Sequence, residues 1–151
     1  MNPSEIALAA LKAWEDRDVA RADSLLADDF TISGVSPAPL GKPAYLAFQS
    51  VHNAAFADWK FNPSSVQVDG DTATINIQIS ATHTGTYDVT PLGLPVPPLA
   101  ASGKHRSWPK EQLVITAREG QVSKILVHSQ PEGGLIGTLA WLGVTLPAPQ
   151  P

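Results

Sequence analysis

From Thr72 to Thr84 the chain alternates with a strict period of two. Ala73, Ile75, Ile77, Ile79, Ala81 and His83 fall on one side, and Thr72, Thr74, Asn76, Gln78, Ser80 and Thr82 on the other. Successive side chains of a strand point to opposite faces, so the run predicts a half-buried antiparallel strand. The fold must therefore supply a core for one face of a sheet and leave the other face polar.

The segments before this strand have a different period. Ser4 is a candidate N-cap with Glu5 in the first turn, and Ile6, Leu8, Leu11, Ala13 and Trp14 follow at helical spacing. Asp18 can cap a second short helix through Ala20–Leu26, and Phe30–Ser33 reads as a brief strand. Residues 34–43 read as a Pro- and Gly-rich loop, and a third helix is expected over Ala44–Ala57. Trp59, Phe61, Val66 and Val68 suggest extended chain, closed by a turn at Asp69-Gly70-Asp71. Pro91–Gly103 is a long apolar loop with four prolines, and no central strand tolerates that. Glu111–Ala117 and Val122–Ser129 form a hairpin around residues 118–121, and Gly133–Gly143 is a short apolar helix or a flap. Helices first and hairpin-linked strands second predict an α+β fold, with about three N-terminal helices on one face of a curved antiparallel sheet. The reading places one domain over residues 1–146 and a disordered Pro-rich tail over 147–151.

Composition narrows the function. Of 151 residues, 43% are apolar and 16% charged, which is globular rather than disordered. The formal net charge is −4 and the ten Lys and Arg are scattered, so neither nucleic acid nor an anionic membrane is an expected partner. There is no cysteine, which removes disulfides, thiol nucleophiles and thiolate metal sites. No histidine pair has metal-ligand spacing, and His105 lies beside Lys104 and Arg106, so no metal is expected. Phosphate loops, dinucleotide fingerprints and a serine-nucleophile elbow are missing too, so no cofactor is expected. The start lacks a secretion-signal pattern and no apolar run is long enough to span a bilayer, which makes a cytoplasmic protein the default.

Several side chains have the chemistry for a site. His83 shares the apolar strand face and is an acid–base candidate if that face lines a cavity; otherwise it is a strand-end histidine bonded to its neighbours. Glu132, between Pro131 and two glycines, is a base candidate if buried and an ordinary loop carboxylate if not. His128 is in phase with Leu126 and Gln130, so these three face the interior together or not at all. Tyr45 and His52 lie two helical turns apart on one face and are candidate ligand contacts. Trp14, Trp59, Trp108 and Trp141 are candidate walls for a planar ligand, with helix packing the simpler role for Trp14.

Ala13-Trp14-Glu15-Asp16-Arg17-Asp18 followed by Leu25-Leu26-Ala27-Asp28-Asp29-Phe30 resembles the opening of the nuclear-transport-factor-2-like superfamily. Gly41-Lys42-Pro43-Ala44-Tyr45, Phe56-Ala57-Asp58-Trp59, Thr82-His83-Thr84-Gly85 and Gly133-Gly134-Leu135-Ile136-Gly137 resemble, in order, segments of its SnoaL-like polyketide cyclase branch. The resemblance implies a cone-shaped fold with a deep apolar cavity, a homodimer formed through the outer sheet face, and an apolar small-molecule ligand. It implies proton-transfer chemistry on a polyketide-like or other cyclic carbonyl compound (cyclase, isomerase or dehydratase). The alternatives are a non-catalytic binder and a structural dimer module with a vestigial cavity. Gln112 matches a polar cavity position of the cyclases. The cyclases' acid–base aspartate falls at Pro131, which has no proton to move, leaving Glu132 as the neighbouring carboxyl. The expected catalytic set is thus His83, Glu132 and Gln112, and the expected ligand contacts are Tyr45, His52, Trp59, His128 and Trp14.

Overall fold

The computed structural model describes residues 2–144; the tail expected over 147–151 lies outside the described residues. Helix α1 (Pro3–Glu15) begins with a reciprocal capping box. The Glu5 N–H donates to the Asn2 side chain (2.9 Å) and the Asn2 N–H donates to the Glu5 carboxylate (3.2 Å). Asn2 rather than Ser4 is the cap, because Pro3 already fits the first helical position, where its missing N–H costs nothing. Asp18 does cap α2 (Val19–Ser24), accepting from the Arg21 N–H at 3.1 Å. Helix α3 (Lys42–Ala55) starts two residues before its apolar period, again with a proline in its first turn. The apolar segment near the C-terminus is a helix, α4 (Gly134–Trp141). Among the described residues no helix is long and apolar enough to cross a membrane.

The strands are β1 (Leu26–Ser33), β2 (Leu40–Gly41), β3 (Ser65–Asp69), β4 (Thr72–Ile77), β5 (Ser80–Thr82), β6 (His105–Ser107), β7 (Glu111–Arg118) and β8 (Gln121–His128). Six of them form one sheet in the order β2-β1-β8-β7-β4-β3, while β5 and β6 pair separately. All pairs are antiparallel except β1 with β8, so the sheet is mixed. No hairpin links those two strands, and a connection that long leaves their relative direction free.

The alternating run from Thr72 is buried on its Ala73–His83 side, as its period requires. It is nevertheless two strands. After Ile77 the chain leaves β7, and the backbone groups at the break find new partners. Gln78 N–H donates to the Phe61 carbonyl (3.0 Å), and Trp108 N–H donates to the Ile79 carbonyl (2.7 Å). Alternation reports which way a side chain points, not which strand lies alongside. The break bends the sheet around its buried face. A register shift opposite Thr116 and Ala117 does similar work in β8, putting Val122 and Ile125 both inward although they are three residues apart.

Across the concave face, α1 packs over β4, β7 and β8, and α3 over β1. Helices and bent sheet together enclose a tapering interior, the expected cone. Asn53 ties the two helices over it. Its amide donates to the Trp14 carbonyl (2.8 Å), and its Oδ1 accepts from Gln49 Nε2 (2.8 Å), all of this buried. Replacing Asn53 by Ala orphans both groups. Urea unfolding of Asn53→Ala is expected to show a loss of about 1–3 kcal/mol; an unchanged midpoint would remove Asn53 as the tie between the helices.

Candidate functional site

The cone encloses a narrow cavity of about 60 Å³. Ile77, Leu113, Ile125 and Val127 form its sheet wall, and Leu11, Tyr45, Phe48 and His52 its helix wall. Trp59, Phe61 and Trp108 close a third side, their rings 5.5–6.0 Å apart at edge or tilted angles. The walls are overwhelmingly apolar, and no Lys or Arg is among them.

Most polar groups in the walls are already spent on each other. The His52 Nδ1 lies 2.7 Å from the Phe48 carbonyl, which can only accept, so Nδ1 carries the proton. Its Nε2 then accepts from the Tyr87 hydroxyl at 2.8 Å. Burial holds this imidazole neutral and lowers its pKa to about 4. Gln49 is bound to Asn53, as described above. The Trp108 indole donates to Thr138 Oγ1 (2.9 Å), which donates in turn to the Gly134 carbonyl (2.8 Å).

The Tyr45 hydroxyl has Trp14 beside it, and two further wall groups are not spent. Glu111, the first residue of β7, is only 5% exposed, and among the described residues its carboxyl makes no hydrogen bond. It reaches the N-terminus of α4, where a Cβ added to Gly133 would lie 3.4 Å from Glu111 Oε2. Burial raises its pKa to about 7, against the opposing pull of the Arg106 charge. Arg106 is engaged elsewhere: its guanidinium donates to the Glu132 carbonyl (2.8 Å) and lies over the Trp108 and Trp141 rings. The second unspent group is the Trp59 indole N–H, which is buried without a partner.

Only Val35 and Gly134 among the wall residues are partly exposed. Both also line a surface hollow between the Gly34–Pro37 loop and the start of α4, so the cavity meets the surface there. The Leu135 N–H donates to the Val35 carbonyl (3.0 Å) across this point. Gly134 is required at it: its φ is +66°, and a Cβ would meet the Val35 carbonyl oxygen at 2.9 Å.

The structure brings Tyr45, His52 and Trp59 into the cavity wall. Trp14 is buried behind the wall, edge-on to Tyr45 at 5.9 Å, which is its packing role. Gln112 and His128 are exposed cross-strand partners on the outer sheet face, because the inward phase of β7 belongs to Leu113, Ile115 and Ala117. Glu132 is exposed on the loop before α4. His83 is buried but lies outside the wall, its Nδ1 2.9 Å from Ser102 Oγ and its ring 5.4 Å from Phe56. That is the strand-end alternative. The residue missed is Glu111, although its signal was present: it stands in phase with Leu113, Ile115 and Ala117, one place from Gln112. Among the described residues no three His, Asp or Glu side chains converge to hold a metal ion.

A family model described as a SnoaL-like domain matches residues 7–124 of the chain. No curated protein matches its sequence. Solved structures do match its fold. AclR from Streptomyces galilaeus, a candidate hydroxylase, is 17% identical with a TM-score of 0.71, over 98% of this chain and 85% of that one. IdmH from Streptomyces antibioticus, a candidate polyketide cyclase, is 18% identical with a TM-score of 0.70, over 95% of this chain and 100% of that one. A protein of ketosteroid isomerase-like fold from Catenulispora acidiphila, solved with trimethylamine, is 16% identical with a TM-score of 0.66, over 96% of each chain. At these identities the likeness concerns the fold.

The position of Glu111 has a thermodynamic signature. Below its ordinary pKa of 4.5 the carboxyl is protonated in both folded and unfolded chains, and its burial carries no ionisation penalty. Between 4.5 and about 7 the unfolded chain ionises while the folded one keeps its proton, so stability falls as pH rises through that window and levels off above it. Glu111→Gln is therefore expected to match the parent protein near pH 4 and to exceed it by up to about 3 kcal/mol at pH 8. Chemical unfolding at the two pH values checks this; a difference independent of pH would mean that the carboxyl is not held as described.

Proposed function

The chain belongs to the SnoaL-like family, and from that premise we propose that its cavity binds an apolar carbonyl compound and moves a proton on it, with Glu111 as the base. The observation that supports this reading is the Glu111 carboxyl itself. It lies in an apolar cavity with no protein partner, and its pKa of about 7 is suited to taking and returning a proton near neutral pH. A carboxylate of ordinary acidity would be a weaker base, and a solvated one would not be selective for the bound compound.

The step is the same for cyclisation, isomerisation and dehydration. A C–H bond next to the ligand carbonyl breaks, its proton passes to a Glu111 oxygen, and the electron pair moves into the enolate. Return of that proton to another carbon isomerises the ligand. Attack of the enolate carbon on a second carbonyl closes a ring, the new alkoxide taking the proton back from Glu111; expulsion of a β-hydroxyl, which leaves as water with that proton, dehydrates the ligand. The aromatic and aliphatic walls exclude water and strengthen the electrostatic contacts within. His83, Glu132 and Gln112 are assigned no part in this step, because none of them is among the residues lining the cavity.

The bicyclic ketone 1-tetralone is a suitable probe, because proton removal beside its carbonyl is visible in D2O by proton NMR. The protein is expected to accelerate deuterium uptake at that carbon, with kcat/KM rising with pH through about 7 as Glu111 ionises. Glu111→Gln is expected to lower the rate about 10²-fold or more. Binding of the ketone without any exchange would overturn the catalytic reading and leave a binder in its place.

A further inference from the structure

We infer that the Trp59 indole N–H is the donor that recognises the ligand, and that it selects a neutral carbonyl oxygen. The inference rests on the cavity being a site for an apolar carbonyl compound, and it adds what holds the oxygen of that compound.

Buried polar atoms in folded proteins are almost always paired, so an unpaired one needs an explanation. Among the described residues two buried side-chain nitrogens lack a partner, Trp59 Nε1 and His83 Nε2. His83 stands outside the cavity wall, whereas Trp59 is part of it and only 5% exposed. An indole nitrogen donates and never accepts, so its missing partner is an acceptor. The neighbouring Trp108 shows that this wall pairs an indole when nothing else has to: its N–H is satisfied by Thr138. The imidazole beside Trp59 has no acceptor to spare. His52 Nε2, whose ring centroid is 5.6 Å from that of Trp59, already accepts from Tyr87.

The Trp59 ring is also fixed in place. The rings of His52, Phe56, Phe61 and Trp108 lie 5.5–6.0 Å from it, centroid to centroid, so the N–H is preorganised rather than free to turn away. The charge of the acceptor follows from the rest of the wall. No cationic side chain lines the cavity, and the Arg106 N–H groups go to the Glu132 and Gly137 carbonyls outside it. A carboxylate or phosphate would enter without a counter-ion and beside Glu111. A ketone or aldehyde oxygen needs only the one donor. An enolate oxygen formed from it would draw more strongly on the same N–H as charge develops.

The test uses the indole resonances of the intact protein labelled with 15N, assigned by triple-resonance NMR. Two probes are added in turn: 1-tetralone, and tetralin, which is the same bicycle without the oxygen. The Trp59 indole proton is expected to move downfield with 1-tetralone and not with tetralin, while the Trp108 indole stays on Thr138 in both cases. Trp59→Phe, which keeps an aromatic ring, is expected to weaken 1-tetralone binding about tenfold and leave tetralin binding within about twofold. The shift in the unsubstituted protein stands even if the variant does not fold. If 1-tetralone binds and the Trp59 indole does not respond, the N–H is spent on the faces of its aromatic neighbours; this inference falls while the proton-transfer reading survives. If neither compound binds, both fall together.

Discussion

Ionising a carboxyl group among hydrocarbon and aromatic walls is costly, and Glu111 is set in such walls with only the charge of Arg106 outside them to offset the cost. The group therefore holds its proton into the neutral range, which turns an ordinary acidic residue into a base of intermediate strength. This follows from its surroundings more than from its identity. Leu113, Ile125 and Val127 on the sheet and Phe48 and His52 on α3 make the low-dielectric pocket, and Arg106 moderates the shift from outside it.

The fold supplies those surroundings through curvature. A flat continuation of β4 through Thr84 would have left the sheet open at its end. The break at Gln78, satisfied through Phe61 and Trp108, turns the chain so that Trp59, Phe61 and Trp108 stand across the end of the cavity. The bulge in β8 brings Val122 and Ile125 to the same side and bends the other flank. Asn53 and the capped α1 then hold the helices over the concave face. Access is left where the Gly34–Pro37 loop meets α4, close to the Glu111 carboxyl.

Much of the frame was legible in the residue pattern, because period and capping are local properties. The helices, the two hairpins and the buried side of the Thr72–Thr84 run all follow from spacing. The cap shifted from Ser4 to Asn2 because a proline between them decides the helix start. The break after Ile77 was not legible, since its hydrogen bonds come from Phe61 and Trp108, distant in sequence. The parallel β1–β8 pair had no local signal for the same reason. At the site, Tyr45, His52 and Trp59 could be placed from helix phase and aromatic content. Gln112, His128 and Glu132 could not, because which face of β7 and β8 turns inward depends on the sheet. The apolar phase of β7 did point to Glu111, but resemblance drew attention to the residue beside it.

The central claim is that a carboxyl titrating near neutrality sits inside this cavity. A pH titration of the Glu111 side-chain carboxyl by 13C NMR, in the ligand-free protein, tests it most directly. The account predicts a midpoint near 7, with Asp58 and the exposed Asp29 both titrating below the ordinary value for aspartate. A midpoint for Glu111 in the ordinary carboxylate range would contradict it, and would take the proposed base with it.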